Sequence, residues 1–124
     1  MANIFGALRR ENQSIDIPAV VVIGLGRFGF SLARELMDHG VEVLGIDNCE
    51  KFVRDYSPVL TEVVQADTTD AEVLHQLGID EVDRVVLAIG SHLEDSILTA
   101  SNLVELGVKD IWAKADLSLI HISE

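Results

Sequence analysis

Three glycines, in Gly24-Leu25-Gly26-Arg27-Phe28-Gly29, directly follow the apolar run Ala19–Ile23 and open a helical pattern in which Phe28, Leu32 and Leu36 recur at i, i+4 and i+8. A GxGxxG spacing is a weak signal alone and a strong one between a strand and a helix. There the first glycine permits a tight turn, the second lets the backbone approach a phosphate, and the third lets helix and strand pack closely. The helix start adds free amides and partial positive charge. Asp47 closes the next apolar run, 21 positions after Gly26. A carboxylate at that distance can accept hydrogen bonds from both ribose hydroxyls.

Five apolar or β-branched runs lie in order at Ala19 to Ile23, Val41 to Ile46, Glu62 to Ala66, Arg84 to Ile89 and Asp110 to Ala115. Runs such as Val20-Val21-Val22-Ile23 are continuously apolar, as strands buried on both faces must be. Thr69 with Glu72, and Ser91 with Glu94, have capping-box spacing. Gly40-Val41, Gly78-Ile79 and Gly107-Val108 have the form of left-handed helix ends with a hydrophobic contact. A helix around Cys49 to Tyr56 is the weakest, since Ser57-Pro58 ends it early. Strands alternating with helices predict an α/β Rossmann-like, doubly wound sheet of five parallel strands. Residues 18–115 form this nucleotide-binding domain, residues 1–17 an N-terminal segment, and residues 116–124 a tail.

The predicted site gathers at the strand ends. Gly24, Gly26 and Gly29 are expected to hold phosphate and Asp47 the ribose, with Phe28 and Asn48 beside them among the cofactor-binding residues. Asp47 can equally cap the following helix. A carboxylate at the 2′ position disfavours the extra phosphate of NADP, leaving NAD, ADP, ATP and AMP open. Arg27 is a guanidinium within the loop that can reach a terminal phosphate of its own or a neighbouring subunit, or else stand in solvent. Asp67 and Thr68 follow the third strand, where Asp67 can meet an adenine amino group or cap a helix. Ile89 and Gly90 end the fourth strand and are expected to line the pocket. Lys114, near the end of the fifth, either approaches phosphate or is a surface lysine.

Composition narrows the function classes. The 124 residues carry a formal net charge of -12 with only 9 Lys and Arg, which argues against binding a nucleic-acid backbone. A single cysteine, Cys49, rules out a disulfide within the chain and suits a reducing compartment. No histidine lies beside it in sequence, and His39, His75, His92 and His121 lack metal-ligand spacing. No apolar stretch approaches the roughly 20 residues of a spanning helix. Nothing in the pattern supplies a catalytic group, so a binding module is expected rather than an enzyme.

Four stretches carry a family resemblance: Val22-Ile23-Gly24-Leu25-Gly26-Arg27-Phe28-Gly29; Gly45-Ile46-Asp47; Ala66-Asp67-Thr68-Thr69 with Leu77-Gly78-Ile79; and Val86-Leu87-Ala88-Ile89-Gly90 through Ile111-Trp112-Ala113-Lys114-Ala115. They resemble the regulator of potassium conductance (RCK, or TrkA-N) domains of the cytoplasmic subunits that gate Trk and Ktr potassium uptake. The resemblance implies a domain that binds ATP or ADP, in some members NAD(H), with a divalent cation at the phosphates. It also implies a membrane-embedded channel or transporter partner, pairing into homodimers and octameric rings, and a cytoplasmic place at the inner membrane through that partner. By the same resemblance, the chain is expected to depart from the family pattern after Ala115 and to be truncated relative to it. The alternatives are the cofactor half of an NAD-dependent oxidoreductase and a Rossmann-like module with no ligand.

Overall fold

The computed structural model describes residues 19–82, 84–90, 93–115 and 118–122. The expected N-terminal segment 1–17 and the Ser91 end of the second capping box lie outside them. The chain alternates strand and helix as predicted: β1 (Ala19–Ile23), α1 (Arg27–Asp38), β2 (Glu42–Asp47), α2 (Glu50–Tyr56), β3 (Glu62–Gln65), α3 (Ala71–Leu77), a 3-10 turn (Ile79–Glu81), β4 (Arg84–Leu87), α4 (Leu93–Leu106) and β5 (Ile111–Ala115). A sixth strand, β6 (Ser118–Ile122), falls in the tail. The sheet order is β3-β2-β1-β4-β5-β6, parallel throughout except for the antiparallel β5–β6 pair. β6 reads Ser-Leu-Ile-His-Ile at the sheet edge, a short run broken by His121 and a weaker signal than the continuous apolar runs of the buried strands.

Strand alternation divides the core into two layers. On one face Val21, Ile23, Leu44, Ile46, Val85, Leu87 and Ile111 pack with Leu74, Leu77 and Leu103 of α3 and α4. On the other, Val20, Val22, Val43 and Val86 meet Ala33 of α1, and the predicted stripe of Phe28, Leu32 and Leu36 packs there. Helices therefore cover both faces, which makes the sheet doubly wound. Phe30 and Phe52 each stack on Tyr56, joining α1 to α2.

The three glycine helix ends have positive φ, at 84° for Gly40, 78° for Gly78 and 97° for Gly107. Val41 and Val108 each donate their amide to the carbonyl five residues earlier, Leu36 and Leu103, as a left-handed cap requires. The capping box at Thr69 is corrected. Asp70 is the N-cap of α3, its carboxylate accepting from the Glu72 amide, while Thr69 belongs to the preceding turn. The nearer carboxylate takes the cap because it already stands extended, at φ -99° and ψ 111°.

Candidate functional site

The strand order reverses between β1 and β4, whose connections leave toward opposite faces, and a crevice opens there beyond the strands' C-terminal ends. Gly24 makes the turn out of β1 with φ +98°. A Cβ there would stand 2.8 Å from the Ala88 carbonyl, so only glycine allows β1 and β4 to run this close. A Cβ on Gly29 would overlap the Gly24 carbonyl oxygen, which explains the third glycine. Gly26 differs. It is the N-cap of α1 with an ordinary φ of -71°, and a Cβ on it would meet no atom within 4 Å. Nor does it have a side chain to cap the first amides of α1.

Asp47 ends β2 and gives both oxygens to backbone amides. Leu25 donates to Oδ2 at 2.7 Å and Cys49 to Oδ1 at 2.8 Å. The carboxylate thus ties the glycine loop to β2 and closes the turn ahead of α2, whose N-cap is Cys49 and has no side-chain cap, so Asp47 does not cap that helix. Each oxygen keeps a further lone pair. Asp67 follows β3, and its Oδ1 accepts from the hydroxyl of Thr69 at 2.6 Å and from its amide at 3.0 Å. These two bonds, the hydroxyl first, hold the Asp67 carboxyl below the usual carboxylate value despite slight burial.

Together these loops enclose a cleft of about 330 Å³, within the range of small-molecule sites. Gly24, Gly26, Asp47, Asn48, Asp67, Thr68, Ile89 and Gly90 all line it. Gly29 lies buried beneath the loop. Arg27, Phe28 and Lys114 are not in the lining. Arg27 is exposed at the start of α1, and Lys114 stands 5.6 Å from the ring centroid of Phe28, a cation–π contact on the α1 face of the sheet. Cys49, Phe52, Thr69 and Asp95 also line the cleft and were missed. Asp95 was discernible in principle, since it lies in the first turn of the helix after β4 and such helix starts border the crevice. The charged side chains in the lining are Asp47, Asp67 and Asp95, all acidic. An anion entering this cleft therefore meets only neutral donors, backbone amides and side chains such as Asn48, and hydroxyl or amino donors can meet carboxylates. Among the described residues no group of three or more His, Cys, Asp or Glu is placed to hold a metal ion.

Residues 20–119 match the TrkA-N domain family. The chain belongs to that family. Over 94 residues this TrkA-N domain is 46% identical to Ktr system potassium uptake protein C of Bacillus subtilis, covering 76% of the chain and 42% of the relative. Over 95 residues it is 39% identical to Ktr system potassium uptake protein A of Vibrio alginolyticus, covering 77% of the chain and 43% of the relative. The domain thus spans less than half the length of these relatives. Among solved structures it is similar to the NAD(P)-binding domain of an exopolyphosphatase-related protein from Archaeoglobus fulgidus, with 26% identity, a TM-score of 0.69, and 77% and 71% of the two chains covered. The TrkA-N domain of the Escherichia coli inner membrane protein ybaL, at 19% identity and a TM-score of 0.65 over 79% and 73% of the chains, shares the fold. No helix among the described residues is long and apolar enough to cross a membrane.

Proposed function

We propose that this TrkA-N domain binds an adenine nucleotide, ATP/ADP or NAD(H), in the cleft above Gly26, and that nucleotide state regulates a potassium channel or transporter to which the domain belongs. Gly26 carries the reading. The protein's own packing explains Gly24 and Gly29, but nothing among the described residues requires a glycine at 26. A close approach from outside the chain does, and a phosphate on the uncapped amides of α1 is the group such a helix start attracts. Asp47 would then accept from the ribose hydroxyls and Asp67 from the adenine amino group. Arg27 lies outside its own cleft and is suited to a phosphate held by a neighbouring copy. A divalent cation at the phosphates would offset the three acidic side chains of the lining.

The assignment to potassium uptake rests on the Ktr relatives, and binding without catalysis is its simplest form. Its partner would be a membrane-embedded potassium subunit, placing the domain in the cytoplasm at the membrane. Self-association is supported by α4, whose Leu93, Ile97 and Leu98 remain 75%, 59% and 47% exposed on one side of the helix. A ligand moves such an assembly only through unequal affinity for its two states.

Calorimetric titration with ATP, ADP, NAD and NADH, with and without magnesium, tests the reading on the wild-type domain and on Gly26→Val. The expected result is binding by the wild type, and a variant that folds as the wild type does and binds at least about tenfold more weakly, as for a lost close contact of about 1.4 kcal/mol. A folded wild type that binds none of the four overturns the proposal. Binding of NADH alone would move the weight to an NADH-responsive regulator or the cofactor half of an oxidoreductase.

A further inference from the structure

The loop that carries Asp67 is fastened from behind. Thr68 is buried, and its hydroxyl meets that of Thr99 on α4 at 3.0 Å, with Thr99 fully buried. One turn further along α4, the Asn102 Nδ2 donates to the Thr69 carbonyl at 2.9 Å and to the Thr68 carbonyl at 3.4 Å. Neither Thr99 nor Asn102 lines the cleft. Ser96, a turn earlier, donates to the Ile89 carbonyl at 3.2 Å. One face of α4 therefore holds the loops after both β3 and β4. The hydrogen bonds from Thr69 to Asp67 both fall on Oδ1, and Oδ2 takes none among the described residues.

A hydrogen bond selects a ligand only if its acceptor stays in place. A carboxylate on a loop of free torsions follows whatever donor it is offered, and so discriminates poorly. The Asp67 loop is pinned at Thr68 and Thr69 by two side chains more than thirty residues away, and that fixes the carboxylate in space. We infer that Thr99 and Asn102 are positioning residues that hold Asp67 against the base of a bound nucleotide, and so set selectivity for a purine with an exocyclic amino group. The inference rests on the nucleotide-binding reading. It assigns to α4 a role in base choice, distinct from the ribose contact that Asp47 and β2 would supply.

The test compares ATP with ITP, which has a carbonyl in place of the amino group, and ATP with 2′-deoxy-ATP, which reports the ribose side. Should only dinucleotides bind, NAD and its hypoxanthine analogue replace the first pair. The wild type should prefer ATP to ITP. Thr99→Val keeps the shape of the side chain and removes the hydroxyl. It should shrink that preference about fivefold, the worth of one neutral hydrogen bond, and leave the preference over 2′-deoxy-ATP unchanged, while Thr99→Ser restores the base preference. Asn102→Ala should repeat the selectivity loss by a separate route, which keeps the test intact should Thr99→Val not fold. Equal loss of base and ribose preference would mean general loosening and overturn the inference, as would folded variants of unaltered selectivity. A wild type that binds nucleotide without base preference overturns this inference alone, whereas one that binds no nucleotide overturns the functional reading with it.

Discussion

Two carboxylates near opposite ends of parallel strands show how differently one side chain can be used. Asp47, at the end of β2, is bonded by the amides of Leu25 and Cys49, both in loops, and it borders an open cleft. Asp110, just before β5, is bonded by side chains: the Arg84 guanidinium at 2.6 Å, the His121 imidazole at 2.9 Å and the Trp112 indole at 3.0 Å. Asp110 is consumed by its neighbours and joins β4, β5 and β6 at the far edge of the sheet. Amides order the loops around Asp47 yet leave it acceptor capacity toward the cleft. A carboxylate met by a guanidinium and two ring nitrogens is structural. One held by backbone alone is ready for a ligand.

The largest loss is expected at the glycine loop that Asp47 secures. Gly29→Ala places a methyl group on the Gly24 carbonyl and should destabilise the domain by about 3 kcal/mol or more, read from urea unfolding. Gly26→Val, in the same loop, loses only a favoured N-cap residue and should cost about 1 kcal/mol or less.

Next in size is Asp47→Ala, which strands the Leu25 and Cys49 amides. A cost of about 2 kcal/mol is expected, together with loss of nucleotide binding in titration. Loss of stability with full binding would show that Asp47 serves only the loop.

The smallest effect belongs to the Asp110 end. Burial raises the Asp110 carboxyl, but bonds from Arg84, His121 and Trp112 outweigh it and leave it below its ordinary 3.8. A carboxylate with a depressed folded value stabilises the fold above its unfolded value, and this stability is lost as pH falls through the folded one. Arg84→Gln should therefore shrink the stability lost on acidification below about pH 4, by no more than about 1 kcal/mol because Arg84 is half exposed. Nucleotide affinity should not change. Chemical denaturation at pH 7 and pH 3 measures the difference.

The glycine loop, Asp47 and the five parallel strands were legible because each is written locally, as a glycine pattern or a run of apolar residues. The order of layers followed from alternation. Residues whose role depends on an approach across the fold were not legible. Lys114 is two residues along β5 from Trp112, and strand alternation sets both on the face packed by α1, where the aromatic ring of Phe28 receives the lysine. Thr99 and Asn102 read in sequence as ordinary polar residues of an amphipathic helix, and only the docking of α4 brings them to the β3–α3 loop. β6 is not legible because its apolar run is short and broken by His121. The cap at Asp70 was misplaced by one residue, since Thr69 and Asp70 both satisfy the local preference and the backbone decides between them.

The pairing of β1 with β4 also bears on the order of events in folding. Ile23 pairs with Leu87, and Gly24 fits against Ala88, so the wall of the cleft joins parts of the chain separated by two full strand–helix units. Contacts of such long sequence separation form slowly. A nucleotide would meet the complete cleft only after β4 has docked beside β1 and α4 has fastened the Asp67 loop. Bound ligand should therefore leave the refolding rate nearly unchanged and slow unfolding instead, acting as a latch on the finished sheet.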